Sequence, residues 1–295
     1  MMTAYLSARD VLSTGTDLQS VAAGGTIPSC VIEAFTVGKD PTRRSEDMLV
    51  LSSNHLAVID GMSSPLSTTS AQASGRGFAA VAAETILRLP ADASAVEAIT
   101  AVTAAQRHLH PEHAGPAGAV AAIVSLRRRE VWRVGDVHLG IDSAHLPGEK
   151  DVDTALAWYR AAVNAAHLAN GASLDHVQTD DPGLRAADEL LRLQPALANR
   201  DVPFGYGVLN GTEVPERFIE VRPLADATHV VLATDGYLAA SATLHEAESE
   251  LSEAIAADPA AITTLRGFGK AVGGTRVAPD DRTYLRINFH EGDRA

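Results

Sequence analysis

The sequence predicts an α+β fold in which two antiparallel sheets carry helices on their outer faces. Three observations lead there. Short β-branched runs pair as hairpins, Ala-rich segments with helical spacing are inserted two at a time, and the chain never alternates strand and helix as a doubly wound sheet requires. With 295 residues, 46% of them hydrophobic, there is chain enough for a substantial core.

Residues 1–28 are polar and aperiodic, with Gly24, Gly25 and Pro28, and read as a loose leader before a single domain over 29–295. Cys30 to Val37 reads as a strand. Met48 to Leu51 and Leu56 to Ile59 form a hairpin across Ser52–His55. Apolar residues recur at helical spacing from Ser67 to Leu89 and again from about Ser94 to His108, where the Asp92–Ser94 stretch offers caps. A Gly/Pro loop over Gly115–Gly118 leads into a second hairpin, Ala119 to Leu126 with Glu130 to Ile141, closed over Arg127–Arg129. Two amphipathic helices follow, Asp153 to Leu168 and Pro182 to Leu193, joined by a polar stretch. Strand signals return at Phe204–Leu209, Phe218–Val221 and His229–Ala233. A further Ala-rich helical pair covers about Ala240–Ala257 and Pro259–Lys270, and Thr283–Phe289 is the last strand.

Composition excludes several classes of function. The formal net charge of −13 argues against nucleic acid or an anionic membrane as partner. A single cysteine, Cys30, rules out an internal disulfide and Cys₄ or Cys₂His₂ zinc sites. No apolar run approaches the ~20 residues of a membrane span, and the first residues lack a signal-peptide pattern, so a cytoplasmic protein is expected. His108, His110 and His113 fit helix-termination chemistry better than a zinc or nickel site. Gly205, Gly207 and Gly211 do not make a dinucleotide fingerprint.

Acidic residues stand at the ends of apolar runs four times over. Glu46–Asp47 precede MLVL, Asp60–Gly61 ends LAVI, Asp235–Gly236 ends VVLAT, and Asp280–Asp281 precede the last strand. A strand end holds a carboxylate rigidly while leaving it open to a ligand. Taken singly, Asp-Gly after a strand is ordinary turn chemistry; the joint occurrence points to a cation site.

In order along the chain, RRSEDMLVL, LAVIDGMSS, GAVAAIV with VWRVGDVHLGI, HVVLATDGY and DDRTYLRINF resemble the successive core motifs of the metal-dependent Ser/Thr protein phosphatases of the 2C class. The resemblance covers most of residues 30–141 and 204–290. It implies a four-layer αββα sandwich with two or three Mn²⁺ or Mg²⁺ ions between the sheets and hydrolysis of a phosphate monoester by a metal-activated water. By position, Asp60 would bridge two ions, the Gly61 carbonyl would bind one, and Asp235 and Asp280 would complete the other. Asp47 and Glu46 would hold metal-bound waters, and Asp136 would help hold a third ion. The substrate implied is phosphoserine or phosphothreonine on a protein. A small phosphorylated molecule is the other substrate class, and a weak or inactive binding module the alternative function.

The chain also departs from that pattern. Thr42 stands where the family's phosphate-binding arginine is expected, and a bulge would bring Arg43 into its place. Met62, Ser63 and Ser64 follow Gly61, and Val137 and His138 follow Asp136. Residues 142–203 match nothing in the family and read as a helical insert. It is either a lid or specificity element, or a docking surface for a partner or a second copy.

Overall fold

The computed structural model describes residues 5–63, 74–109, 117–268 and 276–289. From the amino end come β1 (Tyr5–Leu6), the single-turn α1 (Ala8–Val11), β2 (Val21–Gly24), β3 (Ile27–Pro28), β4 (Val31–Val37), β5 (Met48–Ser52) and β6 (His55–Met62). Then follow α2 (Gly75–Ile86), α3 (Ala95–Gln106), β7 (Gly118–Ser125), β8 (Glu130–Val134), β9 (His138–Ile141) and β10 (Ala144–Leu146). The insert holds α4 (Asp151–Ala169), α5 (Leu174–Asp180), α6 (Pro182–Ala186) and α7 (Asp188–Leu193). The chain finishes with β11 (Glu220–Pro223), β12 (His229–Ala233), α8 (Leu244–Ala257) and β13 (Arg282–Asn288).

Among the described residues the strands form a six-stranded sheet, β11-β8-β7-β6-β5-β2, and a five-stranded sheet, β10-β9-β12-β13-β4. Strand alternation sorts their side chains into three cores. Leu49, Leu51, Leu56, Val58, Val120, Leu232, Leu285 and Ile287 face inward and fill the space between the sheets. Val50, Ala57, Ile59, Ala121, Ile123 and Trp132 face outward against Phe78, Ala79, Ala82 and Ile99 of α2 and α3. Val231, Ala233 and Tyr284 do the same against Ala247, Leu251 and Ala254 of α8. The result is the αββα sandwich the resemblance implies. The alanines on α2 and α3 let those helices lie close on their sheet. α3 is fixed at its start by a capping box between Ser94 and Glu97.

Several elements differ from expectation for identifiable reasons. Residues 5–28 are not loose: β1 pairs with β3, and β2 joins β5 as a parallel edge strand. Val11 and Ile27 bury in the inter-sheet core, and Arg76 of α2 donates to Gln19 O (2.8 Å) and Ser20 Oγ (3.0 Å). The single strand expected over 130–141 is two strands in opposite sheets. Gly135, at φ +87°, turns the chain across the sandwich between β8 and β9. Residues 204–209 make only bridges, at Tyr206 and Leu209, and Phe204 has φ +63°. Residues 259–268 coil instead of forming a helix, because Asp258 gathers the amides of Ile262 (3.0 Å), Thr263 (2.8 Å) and Leu265 (2.9 Å). The polar joint of the insert contains α5, and its second helix is broken into α6 and α7. Residues 67–73 of the expected first long helix, with His110 and His113, lie outside the described residues. No helix among the described residues is long and apolar enough to cross a membrane.

Candidate metal centre

Period-two alternation explains why polar groups gather at one end of the inter-sheet core. The inward row of β6 runs Leu56, Val58, Asp60; that of β12 runs Val230, Leu232, Thr234; that of β13, read backwards, runs Ile287, Leu285, Thr283. In the same register Leu51 and Leu49 of β5 lead to Asp47. Each strand therefore delivers its apolar residues to the core and one polar residue to the same rim.

Asp47, 1% exposed, is the most enclosed of the carboxylates. Its Oδ2 accepts from Thr234 Oγ1 (3.0 Å) and Thr283 Oγ1 (2.9 Å), and Thr36 Oγ1 lies 2.8 Å from Thr283 Oγ1. Burial, and then Asp281 nearby, drive its pKa well above the usual carboxylate range, against the pull of the two threonine bonds.

Asp60 and Asp235 come from different sheets and meet with their carboxyls within hydrogen-bonding reach. Burial, then Asp235 and Asp47, raise Asp60 well above the usual range. Asp235 is open on one side to a cleft yet crowded by protein on the others. Burial, Asp136 and Asp280 push it up to about 7, with Asp60 and Lys150 acting the other way. Gly61 and Gly236, which follow these aspartates, have a packing role. A Cβ on Gly61 would lie 2.3 Å from Glu46 O, and one on Gly236 would lie 1.9 Å from Asp281 O. Asp60–Gly61 is therefore no hairpin turn; it lies within β6, opposite Val120 and Ala119.

The remaining predicted residues have other partners. Asp280 Oδ1 accepts from Lys39 Nζ (2.6 Å), whose side chain is 24% exposed. Burial opposes the Lys39 ammonium, but Asp280 and Asp281 outweigh it and hold its pKa above the ordinary value. Asp281 takes the amides of Lys39 (2.7 Å) and Glu46 (3.0 Å), so it fastens the 39–46 loop. Glu46 accepts from Ser63 Oγ, which also takes the Gly75 amide at 2.9 Å. Ser63 thus couples Glu46 to the start of α2. Asp136 is 7% exposed and bonds through Oδ2 to Lys150 Nζ at 2.7 Å. Its Oδ1 has no hydrogen-bond partner among the described residues. Arg43 lies in an exposed turn, where its amide bonds to Asp40 O (3.0 Å). Ser64 is outside the described residues.

A cleft of about 320 Å³ opens beside Asp235 and Asp136. His138 and Tyr237 from the sandwich, Lys150 and Asp153 from the insert, and Thr264 and Arg266 from the 259–268 coil line it. His138 Nδ1 accepts from the Gly148 amide (3.0 Å), and burial lowers its pKa. The insert is fixed as a wall by Arg160, which pairs with Asp181 (2.8 Å) and donates to Phe268 O (3.0 Å), both side chains being buried.

The donor chemistry suits a hard divalent cation at Asp60 and Asp235: all oxygens, two carboxyls pressed together, and the Gly61 carbonyl adjacent in sequence. Beyond that pair the set does not converge. Among the described residues no three His, Cys, Asp or Glu side chains form a group able to hold an ion. Asp280 and Asp136 are each turned to a lysine. Lys39, Lys150, Thr234 and Thr283 were not foreseen as members of the site. The signal that could have found the lysines is their scarcity: the chain has only three, Lys39, Lys150 and Lys270.

No family model matches this sequence, and no curated protein matches it. Solved structures do show a likeness. A bacterial serine phosphatase is 12% identical, with a TM-score of 0.47, over 88% of this chain and 97% of its own. The PPM Ser-Thr phosphatase MsPP from Mycobacterium smegmatis, in complex with cacodylate, is 17% identical, with a TM-score of 0.44, over 89% and 100%. The catalytic domain of the serine threonine protein phosphatase PstP, in complex with two manganese ions, is 16% identical, with a TM-score of 0.42, over 88% and 98%. Across pairs this distant no residue role transfers.

Proposed function

We propose that the protein is a metal-dependent phosphatase that hydrolyses phosphate monoesters. The observation that carries this reading is the Asp60–Asp235 pair, two carboxyls from opposite sheets pressed together, with Asp235 lining a cleft. Mutually repelling carboxylates in such a place call for a cation. When bound, Mn²⁺ or Mg²⁺ ions supply Lewis acidity toward water and a phosphoryl oxygen.

The chain's own residues then have distinct tasks. Asp60, Asp235 and the Gly61 carbonyl would hold the cations. Asp280 would join them in place of its bond to Lys39, whose side chain is 24% exposed. Asp47, locked by Thr234 and Thr283, and Glu46, locked by Ser63, accept hydrogen bonds from water at the rim. Arg43, in its exposed turn, is the arginine nearest in sequence to meet a substrate phosphate. The substrate class proposed is phosphoserine or phosphothreonine on a protein. The walled cleft favours a small phosphorylated molecule as the second candidate. The commitment of Asp280 to Lys39 favours a binding module as the other reading.

Turnover of p-nitrophenyl phosphate with Mn²⁺, lost with EDTA and in Asp235→Asn, would support the phosphatase reading. Manganese binding without turnover of this ester, a phosphopeptide or a set of sugar phosphates would favour the binding module. Failure to bind Mn²⁺ would overturn the site.

A further inference from the structure

We propose that Lys150 occupies Asp136 as a tethered cation, so that the insert supplies an ammonium where the sequence resemblance places a metal ligand. The inference rests on the reading of Asp60 and Asp235 as the cation ligands of the centre, and it concerns the neighbouring carboxylate alone.

Lys150 Nζ lies 2.7 Å from Asp136 Oδ2 and 3.4 Å from Asp153 Oδ2. Lys150 is 8% exposed and Asp136 7%, which distinguishes them from the mobile ion pairs of a protein surface. The lysine is held in place from several directions. Its carbonyl accepts the first helical bond of α4, from the Thr154 amide at 3.0 Å. Two residues earlier, the Gly148 amide bonds to His138, two positions beyond Asp136. The ammonium stands 5.5 Å from the centroid of the Tyr206 ring. Asp153 is steadied by Gln194 Nε2 at 2.5 Å. This ammonium, buried with its partner at the start of α4, is more enclosed than that of Lys39, whose side chain is 24% exposed.

The residue type agrees with the role. The chain has 24 basic residues, and only three are lysine. Two of those three sit on carboxylates of this centre. An arginine carries its charge on a broad planar fork, whereas the lysine ammonium is a compact point charge with donors free to rotate. Asp136 Oδ1 is left without a partner, but a divalent ion placed there would share one carboxylate with an ammonium that repels it. Lysine and metal are competitors for Asp136.

Competition is measurable as stoichiometry, without reference to turnover. Protein equilibrated with Mn²⁺ by dialysis would be counted by elemental analysis and by the manganese EPR signal. Lys150→Met should bind one Mn²⁺ per chain more than the unmodified protein, and Asp136→Asn should bind the same number as the unmodified protein. The double variant, which buries no lone charge, should also keep that number and covers a failure of Lys150→Met to fold. No gain in folded Lys150→Met, or the loss of one ion in Asp136→Asn or in the double variant, would overturn the proposal. An Asp235→Asn count equal to that of the unmodified protein would instead sink the phosphatase reading, leaving the Lys150 comparison intact.

Discussion

Thr283 Oγ1, on the five-stranded sheet, donates across 2.9 Å to Asp47 Oδ2, at the edge of the six-stranded one. This bond joins the two sheets at the rim of the candidate centre, in a place almost closed to water. Its removal leaves Asp47 with one side-chain donor where it had two. Thr283→Val should therefore cost about 1–2 kcal/mol in urea unfolding, with little change in shape. The same variant should reduce turnover, because Asp47 is then held by Thr234 alone.

The Asp60–Asp235 contact makes a prediction of opposite sign. Asparagine at either position removes a charge from a crowded pair. In EDTA, Asp60→Asn or Asp235→Asn should melt above the unmodified protein, by about 2–4 °C for each kcal/mol relieved. In Mn²⁺ the order should reverse, since the variants forgo the stabilisation that bound metal provides. Calorimetry with and without the metal checks both halves.

The pH dependence of the metal-free protein follows from the same pair. Asp235 has its pKa raised in the folded chain to about 7, against an ordinary 3.8. Between those values the folded state holds a proton that the unfolded state has released. Its contribution to stability is whole below about pH 4 and is lost as the pH rises through 7. In EDTA, Tm should thus decline from pH 5 to pH 8, and saturating Mn²⁺ should flatten the decline. A Tm that rises over that interval in EDTA would contradict the raised value.

The Arg160–Asp181 pair anchors the insert. Asp181→Ala would leave a buried guanidinium with only backbone carbonyls, at a cost of about 3–5 kcal/mol. Because the pair lies in the insert and not between the sheets, the loss should be local. Hydrogen exchange should speed up in α4 to α6 and in the 259–268 coil, while β6 and β7 keep their protection.

The side of the sheets on which the candidate carboxylates lie could be read from the sequence because strand alternation is a local property. Leu49 and Leu51 fix the face on which Asp47 lies, and Leu56 and Val58 do so for Asp60. The Asp-Gly pair at 235 reads as a strand end and stands just past β12, whereas the pair at 60 lies inside β6; the close backbone approach that demands both glycines leaves no mark in the sequence. Lys150 was not legible. It meets Asp136 only because the turn at Gly135 carries the chain from one sheet to the other and the insert then folds back. The 259–268 segment has helical spacing, yet three amides prefer the Asp258 carboxylate to the next turn of a helix. Such competition between a side chain and the backbone ladder leaves little trace in a hydrophobic pattern.

The scarcity of lysine has a practical side. Apart from the amino terminus, the chain offers amine reagents three targets, and two of them stand beside the candidate centre, one half-open and one enclosed. Reductive methylation with a ¹³C label would thus place a spectroscopic reporter on Lys39 against a background of at most three other amines. Its chemical shift would follow titration with a cation or a phosphate ester.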